Sequence, residues 1–187
     1  MIYVDTNVFI ALLLEDATSV AAETWWNAQV VPLAASTWVA AEFYAHVGLR
    51  QRKGELTPRQ AVACIRAFDD NLSTRLTLLP GSDHAIHRAC NWLRLPGCAL
   101  KAPDAIHLAI AIENEVAALA TFDKRFAHDA EKLRIPGLKI IALPTGGAAH
   151  KLHEDVAQYV VTERDIAKAV KSTRQRKLAE RAKAIHL

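Results

Sequence analysis

The sequence predicts an α/β protein, a parallel doubly wound sheet flanked by helices, with a basic helical extension at its C-terminal end. Three observations predict it. Short apolar runs of strand length alternate with capped, helix-period segments through residue 143. The runs at 2–4 and 116–121 lack polar alternation, the pattern of strands covered on both faces. Each of these runs is followed by an acid, Asp5 and Asp123, and open α/β sheets bind ligands outside the carboxyl ends of their strands.

Residues 2–4 form the first strand, and 8–14 continue without Gly or Pro as a helix. Asp5 sits at that junction. It is either a ligand-binding acid or a group that satisfies the first helical amides beside Thr6 and Asn7. Asp16, Thr18 and Ser19 offer caps for a second helix through about Asn27, with one of Trp25 and Trp26 packed inward. Residues 30–35 form a second strand, and Pro32 near its start argues against a central place in the sheet.

Ser36 caps a helix to about Lys53, closed by Gly54. Its apolar positions Val39, Phe43 and Val47 step by four, a buried stripe. Glu42 is one position before Phe43, beside the buried face, and an ordinary exposed glutamate is the alternative. Thr57-Pro58 opens the next helix, to about Leu72. Residues 75–79 form a third strand ending at Pro80, and Ser82 or Asp83 caps a helix through Leu93. His84 and His87 on that helix have a spacing that can hold a metal, though a solvated face explains them as well.

After the Leu95-Pro96-Gly97 loop, Pro103 opens a helix with Asp104 in its first turn, where the helix dipole favours an acid. Ala102, Ala105, Ile106, Ala109 and Ile110 make this helix apolar nearly all round, so Asp104 stands at the rim of a pocket. His107, one turn on, reads as a packed residue or a support behind the acids. The fourth strand at 116–121 runs into Phe122-Asp123, where Asp123 is also an acceptable turn residue. The last strand, 138–143, is followed by Pro144 and by Gly146-Gly147, the best domain boundary in the chain.

The 187 residues suit one domain with an appendage, and the 51% apolar content supports a real core. No apolar run approaches the ~20 residues of a membrane span, and the start lacks the basic region of a signal peptide. Cys64, Cys90 and Cys98 are odd in number and lack CxxC spacing, so buried reduced thiols in a cytoplasmic protein are expected, not a zinc site. The net charge of +3 is uneven: Lys168, Lys171, Arg174, Arg176, Lys177, Arg181 and Lys183 face Glu180 alone at the end of the chain. Thr162-Glu163-Arg164-Asp165 is close to a capping box, and the basic helix after it has Ile166, Ala169 and Val170 on one side. It either docks as a solvated helix or grips a polyanion.

Two acids thus fall at strand ends and two in early helical turns, stations that a doubly wound sheet crowds into one crevice. Four carboxylates in one pocket do not all stay ionised without a counter-charge. A hard divalent cation, Mg2+ or Mn2+, supplies it, lowers the pKa of a water and neutralises charge on a phosphoryl group.

Four segments, in this order, resemble the PIN-domain family, in particular VapC-type toxin ribonucleases. They are Val4-Asp5-Thr6-Asn7, Ala41-Glu42, Pro103-Asp104-Ala105-Ile106-His107-Leu108-Ala109 and Thr121-Phe122-Asp123-Lys124-Arg125-Phe126. The resemblance covers residues 1–143 and leaves 148–187 as an extension longer than a minimal domain of this kind requires. It implies a five-stranded parallel sheet, a Mg2+- or Mn2+-dependent endoribonuclease, a homodimer and a cognate antitoxin. Asp5, Glu42, Asp104 and Asp123 match the family's acidic quartet, and Asn7 and Thr121 its polar supporting positions. On that match all four acids form the metal site: Asp5 and Asp104 hold the ion directly or through one water, while Glu42 and Asp123 orient its waters and one of them helps to deprotonate the attacking water. Lys124, Arg125, Arg174, Arg176 and Lys177 are candidates for RNA phosphate contacts. Rival readings are a non-catalytic RNA- or protein-binding module and a DNA flap-type nuclease. A haloacid-dehalogenase-like phosphatase needs a second acid where Asn7 stands.

Overall fold

The computed structural model describes residues 1–14 and 16–145; the Gly146-Gly147 boundary and the basic extension lie outside the described residues. The strands are β1 (Ile2–Val4), β2 (Leu33–Ser36), β3 (Leu76–Leu79), β4 (Ala118–Thr121) and β5 (Lys139–Ala142). All pair in parallel, in the order β3-β2-β1-β4-β5. Around them run α1 (Thr6–Leu13), α2 (Ser19–Ala28), α3 (Thr37–Arg52), α4 (Pro58–Thr74), α5 (Asp83–Leu93), α6 (Ala102–Glu113) and α7 (Lys124–Lys132).

The centre of this sheet is β1, with Ile2 in register with Leu33 on one side and Ala118 on the other. Its three residues are wholly buried, as the unbroken apolar run requires. The chain builds outward from β1 through β2 to β3, then returns to the opposite side for β4 and β5. The topological switch therefore falls between β1 and β4, and the carboxyl ends of those two strands carry Asp5 and Asp123.

Local signals account for most boundaries. Ser36 accepts a bond from the Val39 amide at the start of α3, and Ser82 does the same for Ala85 at the start of α5. Thr57 and Gln60 form a reciprocal capping box at the start of α4. Val39, Phe43 and Val47 are all fully buried.

Four expectations are corrected. The second strand is interior, between β3 and β1. Pro32 precedes it, so its missing N–H costs no ladder bond, and its carbonyl accepts from the Ile2 amide at 3.0 Å. Trp25 and Trp26 are both buried, not one of them; the Arg75 guanidinium covers the Trp26 ring at 4.8 Å. Cys90 is exposed, and Cys64 and Cys98 are only partly buried, so the thiols are free but not core residues. Finally, α7 adds a helix after Asp123, burying Phe126, Ala127 and Ala130 on one face.

An aromatic cluster locks α1 to α4 together. Phe68 of α4 stacks on Phe43 of α3 with centroids 4.2 Å apart, and Phe9 of α1 meets Phe68 edge-on at 5.1 Å and Trp26 of α2 at 5.7 Å. This cluster fixes α3, and so Glu42, relative to α1 and Asp5. Among the described residues no helix is long and apolar enough to cross a membrane. His84 and His87 are exposed on α5, and the Nε2 of His84 lies 3.4 Å from Arg88, in keeping with a solvated face.

Candidate active site

At the end of β1 the chain turns into α1 with Asp5 at the helix-preceding station, yet the Asp5 side chain makes no capping bond. Its Oδ2 accepts from Asn7 Nδ2 and from Thr121 Oγ1, both at 2.6 Å. Asn7 is itself fixed, donating to Thr121 Oγ1 at 2.8 Å and accepting from the Phe122 amide at 2.9 Å. The polar positions Asn7 and Thr121 therefore clamp Asp5 across the β1–β4 switch. Asp5 is only 5% exposed, an expensive place for a carboxylate.

Glu42 reaches the same point from α3. Its Oε2 accepts from Thr6 Oγ1 at 2.6 Å and from His107 Nε2 at 2.7 Å. His107 Nε2 also lies 3.3 Å from Asp5 Oδ1. One oxygen from each acid and this ring nitrogen all fall within 4.8 Å of one another, a grouping able to hold an ion. Glu42 is thus no ordinary surface glutamate, although a quarter of its side chain still meets solvent.

Asp104 and Asp123 line the same cavity, about 400 Å³, with Asp5, Glu42, His46 and His107. They stand outside the tight Asp5–Glu42–His107 group. Asp104 lies in the first turn of α6, as its proline-led motif predicts. Asp123 caps α7, its Oδ1 accepting from the Arg125 and Phe126 amides at 2.8 and 2.9 Å, while Oδ2 stands 4.0 Å from Lys101 Nζ. Asp123 is therefore both a turn residue and a cavity acid.

The electrostatics follow from this packing. Burial lifts the Asp5 carboxyl above the ordinary carboxylate range, against His107 and Thr121 and with the help of the Glu42 charge. Burial would also lift Glu42, but the bond and charge of His107, then Thr6 and the Trp38 indole, outweigh it and hold Glu42 below its usual value. The Trp38 Nε1 completes no hydrogen bond of its own, so its influence is that of a nearby dipole. For His107 burial opposes the charged form, but Asp5, Glu42 and Asp104 prevail and raise its pKa. His107 Nε2 faces both carboxylates, at 2.7 Å from Glu42 Oε2 and 3.3 Å from Asp5 Oδ1. Burial, then the nearby Asp123 and Asp5 charges, raise Asp104 against the opposing Lys101 backbone and charge.

A raised carboxyl pKa means that ionised Asp104 weakens the metal-free fold, and that the penalty fades as pH falls through the folded pKa. Asp104→Asn should accordingly stabilise the metal-free protein at neutral pH. Allowing for solvent screening at a half-buried site, the expected gain is about 1 kcal/mol, or roughly 3 °C in Tm. Thermal melts in EDTA at neutral and at acidic pH check this: the gain should shrink on acidification, and a loss of stability at neutral pH would contradict it.

The four acids of the sequence motif are thus all at one cavity, with Asp5 and Glu42 grouped tightly around His107. Of the cationic candidates, Lys124 and Arg125 are exposed at the start of α7, and Arg125 lies 3.8 Å from Asp129. Arg174, Arg176 and Lys177 lie outside the described residues. Sequence reasoning missed Thr6, the rim residues His46 and Lys101, and the polar partners Tyr3 and Ser36 behind His107. Tyr3 did carry a signal: a tyrosine inside a wholly buried strand needs a partner for its hydroxyl.

Comparison with known proteins agrees with this geometry. No curated protein matches the chain. Among solved structures it resembles VapC20 of Mycobacterium tuberculosis, described as a sarcin-ricin loop cleaving toxin, with 25% identity and a TM-score of 0.56 over 68% of this chain and 94% of that one. It also resembles a chain of a toxin–antitoxin complex from Klebsiella pneumoniae, with 25% identity and a TM-score of 0.51 over 74% and 95%. A chain of VapBC2 from Rickettsia felis, bound to a fragment of its promoter DNA, shares the fold at 22% identity and a TM-score of 0.51 over 77% and 100%. The PIN-domain family model matches residues 2–132, and with the parallel sheet and the acid-lined crevice at its switch point this chain belongs to the PIN-domain family.

Proposed function

We propose that the chain is a divalent-metal-dependent endoribonuclease and the toxin of a type II toxin–antitoxin pair. One observation carries the reading. Asp5 and Glu42, brought from different elements, are pinned side by side at the sheet's switch point in a cavity that Asp104 and Asp123 also line. The RNA substrate is supported by the likeness to a ribosomal-loop-cleaving toxin, and the antitoxin by the likeness to toxin–antitoxin complexes.

Asp5, Glu42, Asp104 and Asp123 would hold Mg2+ or Mn2+. The donor set fits: carboxylate oxygens suit hard cations, and buried Asp5 needs a counter-charge. Bound there, the ion lowers the pKa of a water and neutralises charge growing on the phosphoryl group. The closeness of Asp5 and Glu42 favours Glu42, with Asp5, as a direct ligand, where the motif alone suggests a water-orienting role. Asn7 and Thr121 keep Asp5 Oδ2 fixed, so the carboxylate need not reorganise during reaction. Asp123 spends Oδ1 on the α7 cap and turns Oδ2 toward the rim, suited to orienting the attacking water. A water giving up its proton to one of the acids would attack phosphorus in line, and the 3′ oxygen would leave as its bond to phosphorus breaks and take up a proton from solvent, with no protein nucleophile.

Lys124 and Arg125, beside Asp123, are the proposed phosphate contacts, together with Arg174, Arg176 and Lys177 of the extension. Residues 148–187 are proposed as a separate basic appendage to the nuclease domain of 1–143. Homodimer formation is carried by the family resemblance, and a reducing cytoplasmic setting is supported by three free cysteines.

The full chain with Mg2+ or Mn2+ should cleave structured RNA. Excess EDTA should lower the rate by at least about a hundredfold, and added Mn2+ should restore it. Cleavage that persists in EDTA would remove the metal from the mechanism. Normal Mn2+ binding without cleavage of any RNA would favour the non-catalytic module.

A further inference from the structure

Behind the acids runs a buried chain of polar side chains that the proposed mechanism does not use. Tyr3 of β1 places its hydroxyl 2.8 Å from His107 Nδ1 and 2.7 Å from Ser36 Oγ. Ser36 Oγ in turn accepts from the Val39 amide at 3.2 Å. On the other side of the ring, His107 Nε2 meets Glu42 Oε2 at 2.7 Å and Asp5 Oδ1 at 3.3 Å. Tyr3 and Ser36 are fully buried and His107 is 2% exposed, so no solvent substitutes for the links of Tyr3 to His107 and Ser36. Burial keeps the Tyr3 phenol protonated, and it remains an O–H group throughout.

We propose that His107, oriented by Tyr3 and Ser36, is a positioning residue that sets the spacing of Asp5 and Glu42 for a divalent cation; this rests on the nuclease reading above. Carboxylate oxygens only accept, so Nε2–H must donate toward Glu42. Without that donor, the buried Asp5 carboxylate and its half-buried neighbour Glu42 repel, and Glu42, held by Thr6 alone, turns toward the solvent it already meets. With it, Glu42 keeps one oxygen tied to His107 and Thr6. Asp5 keeps one tied to Asn7 and Thr121. Each carboxylate is then fixed in rotation with its other oxygen released from those ties. Tyr3 prevents the imidazole from turning about its own axis, as partners behind a ligand shell commonly do.

Three full-length variants test this: His107→Leu removes the donor, His107→Gln restores an N–H near the Nε2 position, and Tyr3→Phe removes only the support. Mn2+ affinity is read from the electron paramagnetic resonance of free Mn2+, and folded fraction from circular dichroism. His107→Leu should weaken Mn2+ binding about 10- to 100-fold and lower kcat with little change in KM for RNA. His107→Gln should recover most of the affinity, and Tyr3→Phe should lose several-fold while remaining folded. If His107→Leu fails to fold, the near-isosteric Tyr3→Phe decides the matter. Folded variants that bind Mn2+ as well as the wild type, with only Tm lowered, would reduce His107 to core packing and overturn the proposal. A wild-type protein that binds no Mn2+ would instead overturn the metal-nuclease reading itself, and this inference with it.

Discussion

Asp5→Asn should lower metal-dependent RNA cleavage by about a thousandfold or more, equivalent to about 4 kcal/mol of lost transition-state stabilisation. The substitution keeps shape and an acceptor oxygen for Asn7 and Thr121, and removes the charge that faces His107 and Glu42. Burial already holds the Asp5 carboxyl above its usual range, so the ionised side chain is a cost to the metal-free fold. The Tm in EDTA should therefore equal or exceed that of the wild type. Mn2+ binding, cleavage rate and thermal melts on one preparation separate the effects. An inactive variant that is also unfolded would say nothing special about Asp5, whereas a folded variant with a tenth or more of wild-type activity would remove Asp5 from the chemistry.

The largest stability effect is expected at Phe68→Ala. Phe68 is fully buried, stacked on Phe43 at 4.2 Å and met edge-on by Phe9 and Tyr44. Removing the ring loses transfer energy, leaves a cavity and breaks three aromatic contacts, about 4 kcal/mol in all. Against a typical total of 5–15 kcal/mol that is a large fraction, roughly 10 °C in Tm. Urea denaturation should show a lower midpoint with unchanged slope. A cost below about 1 kcal/mol would mean that α1, α3 and α4 are not tied through this ring. Because Phe43 adjoins Glu42, a folded Phe68→Ala protein should also bind Mn2+ less tightly.

How far the sequence disclosed this molecule depended on the range of the interaction. Caps at Ser36, Thr57 and Ser82 involve residues three apart and were legible as local patterns. So was the buried strand at Ile2–Val4, because an apolar run states its own environment. The helix after Asp123 went unread, although Phe126, Ala127 and Ala130 mark one face, because the polar residues between them masked the period. Pro32 misled because one residue's shift in strand start moves a proline from inside the ladder to outside it. The acids were found as types at stations, and Asn7 and Thr121 as supports through the family resemblance, but Thr6, Tyr3 and Ser36 were not found as partners. The Tyr3–His107 bond joins positions 104 apart, and Asp5 and Thr121 are 116 apart. Local periodicity carries no information on such pairs. His107 read as either a packed residue or a support behind the acids, and it proved to be the hub of the polar network.

The opening strand's place in the middle of the sheet has a consequence for synthesis. Ile2 to Val4 lie between two rungs, and the second rung comes from residues 118 to 120. A nascent polypeptide that has not yet delivered that rung leaves one whole edge of Ile2–Val4 bare and lacks the threonine that clamps Asp5. Loop closure over such a span is slow relative to local helix formation. Translation products that stop short of residue 121 therefore cannot assemble the crevice, and the acid-lined site takes shape only once that residue has been made.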